Sequence, residues 1–231
     1  MTFVSRWLFK LPLVTRRVLV LLPNEPPGFS LPSVAHAASV FENAGLEVVY
    51  ASLRGGSAPA DRATADASDL QQLAFWAANE QKASQQTLQL SRCPPKDFVA
   101  MFLPHSKPAV AESAEVATQL HDFARQLLKA GGVIGAVGLG LSGVAALKLD
   151  DRASFITQRQ ISGIAGDDQI TTIWQAHLRA HGACIHHEPH QDFSTGKIVA
   201  ISGRLITGAG PPAALAVAQS VTHTLSILDL I

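Results

Sequence analysis

Val133-Ile134-Gly135-Ala136-Val137 runs directly into Gly138-Leu139-Gly140. The first part of this stretch is short, apolar and β-branched, the signature of a buried strand. Leu141 to Leu147, rich in Ala, Leu and Val, then reads as a helix. A strand that reverses sharply into a helix presents one residue at its apex and needs small neighbours where the backbones crowd. Enzymes use such an elbow to expose a Ser or Cys beside the amides of a helix N-terminus. The apex here is Gly138, which suits a positive φ but carries no side chain. The scaffold of a nucleophilic enzyme is present without its nucleophile.

Working outward, strands and helices alternate. Val18 to Leu22, Glu47 to Ser52 and Phe98 to Leu103 are further core strands. Ser33 is a candidate cap for a helix with Val34, Ala37, Ala38 and Phe41 on one stripe, stopped by Gly45. Residues 53–67 are a Gly/Ala/Asp loop, and Ser68-Asp69 opens a helix with Leu70, Leu73 and Trp76 on one side. Glu112 to Ala130 is helical, and Asp168 to His181 is a helix with Ile170, Ile173, Trp174 and Leu178 inward. Lys197 to Ile201 and Arg204 to Ile206 pair around Ser202-Gly203, and Pro211 opens a C-terminal helix. Repeated βα units predict an α/β, flavodoxin-like three-layer sandwich with a mainly parallel sheet.

Composition narrows the classes. A chain of 231 residues that is 47% hydrophobic can bury a sizeable core. Lys+Arg and Asp+Glu both total 18, so no global charge points to nucleic acid, and direct nucleic-acid binding is not expected. Two cysteines, Cys93 and Cys184, make no disulfide framework and fit a reducing, cytoplasmic setting. No apolar stretch approaches the ~20 residues of a membrane span. Residues 1–16 read as a basic, aromatic N-terminal extension and 17–231 as a single domain. Met1 to Arg17 carries Arg6, Lys10, Arg16 and Arg17 with Phe3, Trp7, Leu8 and Phe9 and no acid, the chemistry of a mitochondrial transit peptide or of a partner anchor.

The ordered blocks Val18–Leu22, Ala44-Gly45-Leu46-Glu47-Val48, Ala51-Ser52-Leu53-Arg54-Gly55-Gly56, Phe98–Pro104, Ile134–Gly140 and Leu205-Ile206-Thr207-Gly208 resemble the ThiJ/PfpI superfamily of class I glutamine amidotransferase-like proteins. The resemblance covers about residues 17 to 228. It is closest to a subgroup of glutamine amidotransferase-like class 1 domain-containing proteins that also carries Gly at the elbow and shares Gly182-Ala183-Cys184. Active members of the superfamily read Ala-Val-Cys-His-Gly where this chain has Ala136-Val137-Gly138-Leu139-Gly140.

The resemblance implies thiolate chemistry, and the departures remove it. The nucleophile position is Gly138 and the neighbouring His position is Leu139. The acid position falls near Ser33, with Glu25 able to reach the pocket from the same loop. His105 and Ser106 stand where active members place two glycines that form an oxyanion turn. The degenerate pocket is therefore Glu25, His105, Ser106, Gly138 and Leu139, with no catalytic residue among them and no cofactor implied.

Two other constellations compete. Gly138-Leu139-Gly140-Leu141-Ser142-Gly143 matches G-x-G-x-x-G, but Gln158 and Arg159 stand where a ribose-binding acid is expected. Close helix–strand packing demands the same small residues. His186, Glu188 and His190 share a face if the segment is a strand unbent by Pro189, a weak metal candidate with His187 and Asp192 nearby. The same polar run reads equally as a solvated strand end, and no bound metal is expected. The leading expectation is a pseudoenzyme that acts through protein–protein association, as a homo-oligomer and with other protein subunits. The subgroup resemblance implies an early-endosome-associated assembly. The alternatives are a divergent hydrolase or lyase using His105, Glu25 or a metal at His186–His190, and a small-molecule binder using the vacated pocket.

Overall fold

The computed structural model describes residues 16–107, 114–149, 153–166, 168–185 and 198–231. Along the chain come β1 (Arg17–Leu22), β2 (Gly28–Ser30), α1 (Leu31–Asn43), β3 (Glu47–Ser52), β4 (Ala60–Asp61), α2 (Leu70–Glu80), β5 (Leu88–Gln89) and β6 (Phe98–Leu103). They are followed by β7 (Ser106–Lys107), α3 (Ala114–Lys129), β8 (Val133–Val137), α4 (Ser142–Ala145) and β9 (Gln160–Ile161). The last elements are α5 (Gln169–Ala180), β10 (Cys184–Ile185), β11 (Val199–Ser202), β12 (Leu205–Gly208) and α6 (Ala214–Ile227).

The main sheet has the order β11-β12-β8-β6-β1-β3-β5. Every pairing in it is parallel except β11 with β12, which run antiparallel around the Ser202-Gly203 turn. Both faces are covered, and the side-chain alternation of the strands divides the core in two. Val18, Val20 and Leu22 of β1 join Ala100 and Phe102 of β6 on the face covered by α1 and α6. Leu19 and Leu21, with Met101 and Leu103, face the α3 and α4 side. Phe41 of α1 meets Phe102 edge-on at 5.7 Å between ring centroids. Opposite Phe102, Gly135 leaves little room for more, because a Cβ there would lie 3.0 Å from Val221 Cγ2 and 3.1 Å from the Phe102 ring. Each fully buried Val, Leu or Phe of these strands is worth roughly 1.5–3 kcal/mol over its exposed state. The architecture is the expected three-layer α/β sandwich with a mainly parallel sheet.

Several local expectations are corrected. α1 starts at Leu31, not after Ser33; Ser30 is the cap residue, a proline occupies the first turn, and the buried Ser33 hydroxyl donates to the Ser30 carbonyl at 2.8 Å. On α2, Leu70 and Leu73 are 79% and 50% exposed. The buried residues are Gln72 and Phe75, with the Phe75 ring 6.0 Å from Tyr50. On α5, Ile170 and Ile173 are 47% and 57% exposed while Thr171 and Leu178 are buried. The elbow helix shrinks to a tight 3-10 turn over Gly138–Leu141 and one turn of α4.

The α2 start shows how a polar network replaces an apolar stripe. Asp69 Oδ1 accepts the Gln71 and Gln72 amides, while Oδ2 meets His36 Nε2 at 2.7 Å and accepts from the Gln72 side chain at 2.8 Å. Burial is the largest single influence and works to raise the Asp69 carboxyl, but the bonds from Gln72 and His36 together outweigh it and hold it below its ordinary 3.8. A depressed carboxyl stabilises the fold above its unfolded-state pKa and loses that stabilisation as pH falls through the folded value. Asp69→Ala is therefore expected to cost about 1–2 kcal/mol at neutral pH. In urea unfolding, that cost should shrink as pH drops below 3.8. A cost independent of pH would show that the charge is not involved.

Tyr50 gives a second prediction. Its hydroxyl is buried with no hydrogen-bond partner among the described residues, and burial pushes its ionisation up. Tyr50→Phe keeps the ring on Phe75 and removes the unsatisfied group, so stability should rise by about 1 kcal/mol. A loss of that size in the same unfolding assay would mean that the hydroxyl is satisfied after all.

Candidate functional site

The site follows from the elbow. Val137 ends β8 in an extended conformation, and Gly138 then turns the chain with φ +53°. A Cβ on Gly140 would lie 2.3 Å from the Leu103 carbonyl oxygen and 2.7 Å from that of Pro104. The elbow thus rests directly on the backbone leaving β6, and only glycine fits. This close approach accounts for the Gly138-x-Gly140 pattern without a dinucleotide. Arg159, the residue that could have met a nucleotide phosphate, donates to the Phe155 and Ser202 carbonyls at 2.7 and 2.8 Å and lies 4.4 Å from the Phe155 ring.

The same contact brings in His105. It follows β6, and its Nδ1 accepts the Leu139 amide at 3.3 Å. A Cβ at position 138 would stand 2.3 Å from that nitrogen. The half-buried imidazole therefore occupies the space a nucleophile's side chain would need, and it also takes the amide next to the apex. With Nδ1 accepting, the neutral ring carries its proton on Nε2, an assignment inferred from the bond. The His105 carbonyl in turn accepts the Ser30 amide at 2.8 Å, tying the β6 exit to the start of α1.

The structure thus brings His105, Gly138 and Leu139 together, with Ser106 as the next residue. The Ser106 and Ser30 hydroxyls are both buried and have no hydrogen-bond partner among the described residues. Glu25 is corrected: it is exposed and paired with Arg54, across the loops after β1 and β3. Asn24 locks those loops by donating to Ser52 Oγ, Gly55 O and Ser57 O, which turns the segment outward. The Ser33 hydroxyl is committed to the Ser30 carbonyl and does not point to the elbow as a free group.

His186, His187, Glu188, His190 and Asp192 lie outside the described residues, as do residues 1–15 of the N-terminal extension. Among the described residues no three His, Cys, Asp or Glu side chains gather as metal ligands. No helix among them is long and apolar enough to cross a membrane. Cys93 is buried, with its thiol pushed up by burial, and Cys184 is exposed in β10.

Sequence reading missed the His105–Leu139 bond. The signal available was the pairing of a side-chain-free apex with a bulky residue in the turn after β6. The other overlooked feature is a cleft of about 310 Å³ between the start of α1, residues 60–67 and α2, walled by Leu31, Ala60, Ala65, Leu73 and Trp76.

The chain superposes on the Rapid Encystment Protein 24 KDa of Francisella tularensis with a TM-score of 0.77, at 16% identity over 91% of this chain and 99% of that one. Glyoxalase III of Candida albicans gives 0.75 at 20% identity, covering 90% and 97%. A ThiJ/PfpI domain protein of Brachyspira murdochii gives 0.65 at 16% identity, covering 92% and 98%. No family model and no curated protein matches the sequence. The fold is that of the ThiJ/PfpI and DJ-1-like proteins.

Gly138→Ala tests the central contact. A non-glycine residue at positive φ, set against an imidazole, should cost about 1–3 kcal/mol. In a cycle with His105→Ala, at least about 0.5 kcal/mol of that cost should be recovered. Strictly additive unfolding free energies would show that the two positions do not interfere.

Proposed function

We propose that this chain is a non-catalytic ThiJ/PfpI-fold protein that works by association with other protein chains, as a homo-oligomer and within a larger assembly. One observation carries the reading: Gly138 stands at the nucleophile position and the His105 ring fills the space in front of it. Acyl and carbonyl chemistry on such a scaffold needs a nucleophile and a donor aimed at the developing oxyanion. Here the first has no side chain, and the amide after the apex is already spent on His105. The fold is shared with a glyoxalase III, but fold alone transfers no chemistry. The exposed Leu70 and Leu73 beside Trp76 add an apolar surface of the kind that association covers.

The test has two arms. The wild-type chain and Gly138→Cys are incubated with methylglyoxal and with activated esters, and both should stay within about tenfold of the uncatalysed rate. General acid–base groups alone supply ~10²-fold or more, so a larger rate would restore the enzyme alternative. Light scattering at micromolar concentration should give a mass of at least a dimer. A strict monomer that co-purifies with no protein would overturn the association reading.

A further inference from the structure

α5 ends in two histidines one turn apart. His177 and His181 are four residues apart and so share a helix face. Their ring centroids are 4.5 Å apart, with the planes at 68°. His177 in turn makes a T-shaped contact with Trp174, with ring centroids 5.1 Å apart. Thr157 Oγ1 donates to the His181 carbonyl at 3.0 Å and fixes the backbone where the helix ends.

We propose that His177 and His181 form a two-imidazole site for a divalent transition-metal ion, copper(II) in preference, with water completing the coordination. Imidazole nitrogen suits copper, nickel and zinc, and copper(II) binds most tightly in that series. An ion about 2.0–2.1 Å from one nitrogen of each ring places the ring centroids roughly 4.5–5 Å apart. The observed spacing already meets that requirement, and χ2, a soft torsion, turns the lone pairs toward a common point. The pair also lies in the last turn and cap of a 12-residue helix, where the carbonyl end of the macrodipole favours a cation. The charge of Lys148, felt at His181, works against a cation there. The site is independent of the elbow and of the association reading.

The full chain is titrated with copper(II) chloride in a weakly coordinating buffer, following tryptophan fluorescence and heat of binding. One equivalent of copper should bind and quench Trp174. Trp174→Phe should lose the quench and keep the heat. Removing one arm of a chelate forfeits its effective concentration, so His177→Ala and His181→Ala should each weaken binding by roughly 10²-fold. The His186→Ala/His187→Ala/His190→Ala triple variant should retain the site. His177→Gln repeats the test with a side chain of similar length, and melting temperatures without metal confirm that each variant is folded. A loss below about tenfold in either single variant, or loss of the stoichiometric site in the triple variant, overturns the proposal.

Discussion

At the turn after β8, two backbones meet with no room for a side chain between them. Gly140 lies against the Leu103 and Pro104 carbonyls, and everything distinctive about the site hangs on this contact. It sets how far β8 can run before turning and brings the residue after Pro104 over the apex. It also leaves the Leu139 amide facing an imidazole. Because β6 and β8 are neighbours with a shared register, buried at every position but Val99, neither backbone can retreat without disturbing both halves of the core. The rigidity of the sheet is what makes the turn a fixed object.

The strands were legible because burial on both faces leaves them no choice of composition. Val18–Leu22, Glu47–Ser52, Phe98–Leu103 and Val133–Val137 are apolar or β-branched runs bounded by breakers, and they lie within a residue of the observed elements. The helix faces were less legible. α2 and α5 each carry apolar residues around more than one side, so spacing alone could not say which side packs. On α2 the side that packs is the one where Phe75 meets Tyr50, and on α5 it is the one where Leu178 joins the core beside α3 and α4. Glu25 misled for a different reason: its loop was correctly placed near the strand ends, but Arg54 drew the carboxylate outward. Such long-range pairing has no local sequence signal.

Stability is unevenly distributed across the layers. The α1–α6 face of the sheet is held by aromatic and branched side chains with no solvent exposure, such as Phe41, Phe102 and Val217. α2 contributes one buried aromatic ring and a set of hydrogen bonds centred on Asp69. Regions with few apolar contacts open at lower free energy than the core they lean on. α2 thus combines two exposed leucines, Leu70 and Leu73, with few buried apolar side chains of its own.

Gly138 and His105 constrain each other in a way that reaches beyond the present molecule. A larger residue at 138 meets the imidazole, and a smaller one at 105 strands the Leu139 amide without its acceptor. Each change carries its own cost, the first by meeting the ring and the second by leaving an amide donor unpaired. Single substitutions therefore offer no downhill route from this turn to one that carries a nucleophile. The pair makes the turn resistant to taking on a larger side chain at its apex.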